Sequence, residues 1–270
     1  MTLPVLGAAI AVGDISGLRD WLLEAPRPVE IQDFIFSGVL DGDWKALADI
    51  ALKKLDGHEG PLGIHGPFWD LPLQATDPLI REVVRKRFAQ GLEVCAHLGA
   101  DLMVVHSPFT DWHEQNGFMF GGDADVIDNA LETMAPVADR ARALGVTLAV
   151  ENIEERFPER RLGLVQALGR DVAGVSLDTG HAHYAHVSKG GRPVDAHAKT
   201  AAEALVHVHL QDADGYADRH WAPGLGNVPW KPLFATLAES CPNARLILEL
   251  RDHGTIRQGA QHLVDLGLAV

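Results

Sequence analysis

The sequence predicts one closed (β/α)8 barrel, α/β in class, with its working residues at the carboxyl ends of the strands. Three observations carry that expectation. Eight short apolar runs alternate with amphipathic stretches of helical length. Glycines stand at the junctions where those stretches give way to the next run. Six consecutive runs finish in His, Asp or Glu. The chain has 270 residues, about the usual size of such a barrel. No linker, low-complexity stretch or shift in composition divides it, so residues 1–270 read as a single domain.

The apolar runs span residues 5–12, 29–36, 62–66, 102–107, 146–153, 174–178, 205–211 and 245–250, each bounded by Gly, Pro or Asp. Between residues 78 and 98, Val83, Val84, Phe88, Leu92 and Val94 recur at helical spacing, with Arg81, Glu82, Arg85, Lys86 and Arg87 interleaved. Residues 126–144 repeat the pattern with Ile127, Leu131, Met134, Val137 and Ala138. Gly99 and Gly145 follow these two stretches, where a left-handed residue ends a helix. Strand and helix in alternation imply parallel βαβ units.

Composition narrows the function. At 47% hydrophobic and 22% charged, the chain is neither disordered nor fibrous. Cys95 and Cys241 are too few for a disulfide framework. Residues 3–12 are too short and too interrupted for a signal peptide, and no run of 18 apolar residues occurs, so a cytoplasmic protein with no membrane contact is expected. A net charge of −14 argues against a polyanionic partner. Fourteen histidines direct attention to metal and acid/base chemistry.

The third run ends in His65-Gly66-Pro67 and the fourth in His106-Ser107-Pro108. The fifth carries Glu151-Asn152, and the sixth Asp178-Thr179-Gly180-His181. The seventh reads His207-Val208-His209-Leu210-Gln211-Asp212, and the eighth contains Glu249. Side chains alternate along a strand. The helix-facing positions of the seventh run must be apolar, so His207 and His209 point into the barrel, and the same logic turns Glu151, Asp178 and Glu249 inward. Carboxylates and imidazoles gathered away from water cost several kcal/mol each unless compensated. A divalent cation compensates them. Asp218 and His220 lie in the next loop, over the same mouth. His58, His97, His113, His197, His253 and His262 read as helix or exposed-loop residues. His183 and His186 stay open, and His207 reads as a supporting or core histidine rather than a ligand. Trp112 either contacts substrate or covers the mouth.

These residues resemble the xylose-isomerase-like TIM barrel superfamily, which holds sugar isomerases and epimerases and the apurinic-site endonucleases of the endonuclease IV type. The resemblance covers roughly residues 5–255. Its specific pieces are Ala149-Val150-Glu151-Asn152, Leu177-Asp178-Thr179-Gly180-His181, and His207 through Asp212 followed by Asp218, His220, Gly224 and Gly226. In the isomerase and epimerase branch it implies one ion on Glu151, Asp178, His209 and Glu249. In the endonuclease branch it implies three: one on His65, His106 and Glu151, a second on Glu151, Asp178, His209 and Glu249, a third on His181, Asp218 and His220. All nine residues are present. Two or three divalent ions, zinc or manganese, are therefore expected.

That ligand count tilts the expectation towards a multi-metal phosphoester hydrolase acting on a small phosphodiester or phosphorylated sugar. Glu249 or Glu151 would orient the attacking water. The alternative is a single-metal sugar or sugar-phosphate isomerase/epimerase, with Glu151 and Glu249 exchanging a proton through an enediolate. A non-enzymatic binder on the same fold is a third class that nothing favours. The chain departs from the DNA-repair enzymes at His106-Ser107-Pro108, at Glu151-Asn152-Ile153-Glu154-Glu155, and in the loop at 37–43, which carries no basic residue. Duplex DNA is thus an unexpected substrate. Lys189 and Arg192 are the expected phosphate contacts, with Arg156 and Arg251 behind them. The sequence leaves room for a homo-oligomer.

Overall fold

In the computed structural model, which describes residues 3–270, eight parallel strands close on themselves. They are β1 (Leu6–Ile10), β2 (Val29–Ile31), β3 (Leu62–His65), β4 (Leu102–His106), β5 (Thr147–Glu151), β6 (Ala173–Asp178), β7 (Leu205–Leu210) and β8 (Arg245–Leu248). Each pairs with its sequence neighbour, and β8 returns to β1 through Leu6 opposite Leu246 and Ala8 opposite Leu248. Strand-to-helix alternation thus gives the predicted barrel, and every carboxyl-terminal loop opens on one mouth.

Several strands are shorter than the apolar runs that announced them. β2 stops at Ile31 because the chain turns into a short 3-10 segment, Asp33–Ile35. There the Asp33 carboxylate accepts the Val12 N–H, 2.7 Å away, and ties this turn to the end of β1. The long outer helices behave as their periodicity requires. Pro78–Leu98 starts on Asp77, which accepts the Leu79 N–H, and buries Val84, Phe88, Leu92 and Leu98. Helix Asp123–Leu144 begins three residues earlier than the apolar periodicity shows, since its first turn is acidic rather than apolar. Gly99 and Gly145 end these helices at φ 68° and 69°, the left-handed conformation expected of them.

Departures from one helix per strand follow β2, where Ser37–Leu40 precedes Trp44–Lys54, and two later strands. After β4 the chain adds two short helices, Asp111–Gln115 and Gly117–Phe120. After β6, helix Thr179–Lys189 precedes the helix Val194–Ala201. A further irregularity lies inside the barrel. Val175 pairs with Leu205 but Ser176 pairs with His207, so Val206 is an extra residue in β7. Simple alternation would turn Val206 towards the helices. The bulge turns it inward instead, over Gly174 and against Leu102, Val104 and Ala149. This apolar group plugs the barrel floor beneath the polar mouth. Among the described residues, no helix is long and apolar enough to cross a membrane.

Candidate metal centre

Four strand ends build the middle of the mouth. Glu151, Asp178, His209 and Glu249, all buried, bring donor atoms within 4.8 Å of one another. His209 Nδ1 lies 2.6 Å from Glu151 Oε1 and 3.3 Å from Glu249 Oε2. On one side, His65 and His106 point Nε2 at Glu151 Oε2, at 3.6 and 3.5 Å. On the other, His181 Nε2 is 3.4 Å from Asp218 Oδ2, and His220 Nε2 is 3.1 Å from the same carboxylate. Among the described residues, these three groups bring together all nine residues expected from the sequence, partitioned as expected.

Local bonding aims the rings. In a neutral imidazole one nitrogen carries the hydrogen and the other offers a lone pair. His65 Nδ1–H donates to the Gly66 carbonyl at 2.9 Å, and His181 Nδ1–H to the Asn152 carbonyl at 2.8 Å. His220 Nδ1–H donates to the Glu249 carbonyl at 3.2 Å. Each therefore turns Nε2 to its carboxylate. Phe68 stacks on His106 with ring centroids 4.0 Å apart and fixes that ring's plane.

Gln211 ties two groups together. Its Nε2 donates to Asp178 Oδ1 at 3.1 Å and to Asp218 Oδ1 at 2.8 Å, while its Oε1 accepts the His220 N–H at 2.9 Å. Asn152 donates to the Asp178 carbonyl and accepts the Asp178 N–H. Gln32 donates to Glu249 Oε1 at 2.6 Å. The sequence reading missed Gln211, Gln32 and Glu30. Glu30 lies beneath His209, in a strand of three buried residues too short for alternation to single it out.

The electrostatics are those of crowded opposite charges out of water. Burial pushes the Glu151 carboxyl up, but His209, His65 and His106 outweigh it and hold it well below the carboxylate range. Asp178 goes the other way, to about 6, through burial and the repulsion of Glu151 and Glu249. Burial lowers His106 to about 3. It also opposes the charging of His209, His181 and His220. There Glu249, Glu30 and Glu151 raise His209, Asp178 and Asp218 raise His181, and Asp218 with Glu249 raises His220 to about 9. Asp178 Oδ2 is buried without a hydrogen-bond partner. An excess of carboxylate oxygens, imidazoles with one nitrogen already engaged, and an orphaned buried oxygen fit divalent cations.

The remaining candidates sit further out. Lys189 forms an ion pair with Asp111, and Arg156 one with Glu114. The Arg192 guanidinium faces the Phe157 ring at 6.0 Å. Trp112 is 62% exposed, and Trp69, on the loop after β3, 61%. His183 is buried and donates to Asn227 Oδ1 at 2.5 Å, anchoring the loop after β7, and His186 donates to the Gly191 carbonyl. His207 bonds Ser176 rather than joining the mouth. His197 lies on a helix, as expected, but is fully buried.

Comparisons agree with this architecture. A 196-residue stretch is 24% identical to the uncharacterised protein MJ1311 of Methanocaldococcus jannaschii, covering 70% of this chain and 64% of that protein. The match thus spans less than two thirds of that relative's length. The barrel superposes on the TTHB071 protein of Thermus thermophilus, solved after soaking with ZnCl2, with 25% identity, TM-score 0.67, and 96% and 98% of the two chains covered. It also superposes on a D-tagatose 3-epimerase-like protein with TM-score 0.76, at 19% identity over 97% and 96% of the chains, a likeness of fold. The model of the family described as xylose isomerase-like TIM barrel matches residues 34–266, and this chain belongs to that family.

Proposed function

We propose that the chain is a divalent-metal-dependent sugar isomerase or epimerase that moves a proton beside a carbonyl through an enediolate. The observation that carries this reading is the placement of two carboxylates, Glu151 and Glu249, 2.6 and 3.3 Å from one ligand nitrogen, His209 Nδ1. A cation held by Glu151, Asp178, His209 and Glu249 supplies positive charge to the substrate's carbonyl and neighbouring hydroxyl oxygens. The two carboxylates do the proton work. One removes the proton from carbon, and the other, across the site, returns it. Glu151 is ionised and can accept a proton, although its three imidazoles lower its basicity. Gln32 holds Glu249 through Oε1 and leaves Oε2 directed at the site. The exposed rings of Trp69, on the loop after β3, and Trp112, on the short helix after β4, offer apolar faces to the C–H surfaces of a sugar. Lys189 and Arg156 already have carboxylate partners, which favours an uncharged polyhydroxyl substrate over a phosphate at that rim. The family and the epimerase-like neighbour support the same chemistry.

The two flanking groups favour a second reading. His65 with His106, and His181 with Asp218 and His220, are more donors than one Lewis acid needs. Three ions, zinc or manganese, would suit hydrolysis of a small phosphodiester or phosphorylated sugar. One experiment separates the two. The protein is loaded with zinc or manganese, its metal content per chain is measured, and it is incubated in D2O with a panel of ketoses and separately with an aryl phosphodiester. Deuterium entering a recovered ketose supports the isomerase reading. Diester cleavage at three ions per chain, without exchange, replaces it with the hydrolase.

A further inference from the structure

Beneath the metal group a second set of buried polar residues continues down the barrel axis. Glu30, on β2, is 1% exposed. Its Oε1 lies 3.0 Å from His209 Nε2, and its Oε2 lies 3.1 Å from His207 Nε2, at an angle too oblique for a hydrogen bond. His207 Nδ1 in turn lies 2.8 Å from Ser176 Oγ. Ser176, His207 and His209 are all buried.

The hydrogens on these rings follow from what each partner can do. An ionised carboxylate only accepts. Glu30 therefore requires N–H on His209 Nε2. That leaves His209 Nδ1 to offer its lone pair upward, where Glu151, Asp178 and Glu249 converge. Ser176 Oγ–H can donate to His207 Nδ1, which places the His207 hydrogen on Nε2, on the side of the other oxygen of Glu30. The carboxylate thus fixes the tautomer of His209, and Ser176 that of His207. A bound cation needs the His209 Nδ1–H tautomer to be absent, because that hydrogen would occupy the coordinating position.

We propose that Glu30 is a positioning residue: it holds His209 as the Nε2–H tautomer, with Nδ1 aimed at the metal group, and takes its own support from His207 and Ser176. This rests on the metal-centre reading above. Carboxylates behind a ligating histidine raise the ring's basicity as well as orienting it, and their loss typically weakens metal binding roughly 10–100-fold. Two variants grade the effect. Glu30→Leu leaves His209 Nε2–H with no acceptor, so the ring favours Nδ1–H donated to Glu151 Oε1, now 2.6 Å away. Glu30→Gln keeps an acceptor for His209 but removes the charge, and its amide forces His207 to shift its hydrogen towards Ser176.

The test is zinc titration of chelator-stripped protein, with no substrate present, alongside the 15N ring signals of His209 in the zinc-loaded form. Expected are Nε2–H in the wild type and a zinc affinity weakened about 100-fold in Glu30→Leu and about 10-fold in Glu30→Gln. Equal zinc affinity in folded wild type and Glu30→Gln overturns the proposal, and so does Nδ1–H in the zinc-loaded wild type. Should Glu30→Leu fail to fold, Glu30→Gln and the wild-type ring signals still decide. A wild type that takes up no zinc or manganese removes the metal-centre reading itself, a different result from either.

Discussion

Gly180 is the position where one methyl group should disturb the candidate site most. It is the second residue of helix Thr179–Lys189, and its missing side chain faces the Gln211 amide. A Cβ there would fall well inside the van der Waals envelope of Gln211 Oε1, Cδ and Nε2, so the amide must retreat by about 1 Å. Gln211 is fully buried and bridges Asp178, Asp218 and the His220 N–H, so there is no empty direction for it to take. Overpacking of this kind costs about 1–3 kcal/mol. Stretching a bond to a buried carboxylate adds about 1.5–3 kcal/mol. Gly180→Ala should therefore destabilise the chelated protein by about 3 kcal/mol, which at 2–4 °C per kcal/mol lowers Tm by about 6–12 °C. The Gln211→Ala background reverses the sign. With the amide gone the methyl has room, and Ala in a helix stabilises relative to Gly by about 0.4–1 kcal/mol. Thermal and denaturant unfolding of the four proteins closes the cycle. If Gly180→Ala costs the same in both backgrounds, or nothing in the wild type, Gln211 does not hold the mouth together as described.

Other consequences are more direct. On the three-ion reading, His106→Ala, which removes a partly exposed ring from the edge of the site, should lower the metal content of the loaded protein by one ion per chain while circular dichroism stays unchanged; an unchanged ion count is what the single-cation isomerase reading requires and would dissociate His65 and His106 from metal binding. Stripped of metal, the protein should lose thermal stability as pH rises from 6.5 towards 9. The raised folded-state pKa values of His181, His209 and His220 (the last about 9) give stability that is complete below the unfolded histidine value of 6.5 and is lost as each deprotonates. Loaded protein, with cations in place of those protons, should show no such fall, and a flat Tm for the stripped form would refute the charge pairing. Arg161 is fully buried, 4.0 Å from Glu155 Oε1, so Arg161→Met should cost about 3–5 kcal/mol in urea unfolding by stranding that carboxylate, with part recovered in Arg161→Met/Glu155→Gln. Additive losses in the double variant would mean the two groups do not pair.

The sequence carried the barrel because each strand and helix answers to a local rule, and it carried six of the mouth residues because strand ends converge in this fold, with His181, Asp218 and His220 on the helix and loop that follow β6 and β7. What it hid depends on contacts between distant elements. Glu30 sits in a three-residue strand, too short for alternation to stand out, and its partner His209 lies 179 residues away. A glutamate is almost never fully buried unless paired, and nothing near Glu30 in the chain announces the pair. Gln211 carries no charge and bears on the site only because the loop after β7 folds back to bring Asp218 and His220 to it. Lys189 and Arg192 were expected to meet phosphate because they follow β6. The ion pair between Lys189 and Asp111 joins two loops whose closeness no sequence spacing reveals.

The bulge at Val206 shows how the barrel keeps these charges effective. Were alternation unbroken, Leu205 and His207 would pair with β6 residues two apart, Val206 would face the helices, and the space over Gly174 would be empty. The extra residue fills it. Gly174 has no side chain, so Val206 can lie directly on its backbone and close the floor with Leu102, Val104 and Ala149. Above that plug begin Ser176, His207 and Glu30, then His209, then the carboxylates of the mouth. Water entering from below would solvate Glu30 and weaken its hold on His209. It would also raise the effective dielectric around Glu151 and Asp178, and so weaken their attraction for a cation. The apolar floor and the polar funnel are therefore one device: the first excludes water so that the second binds charge strongly.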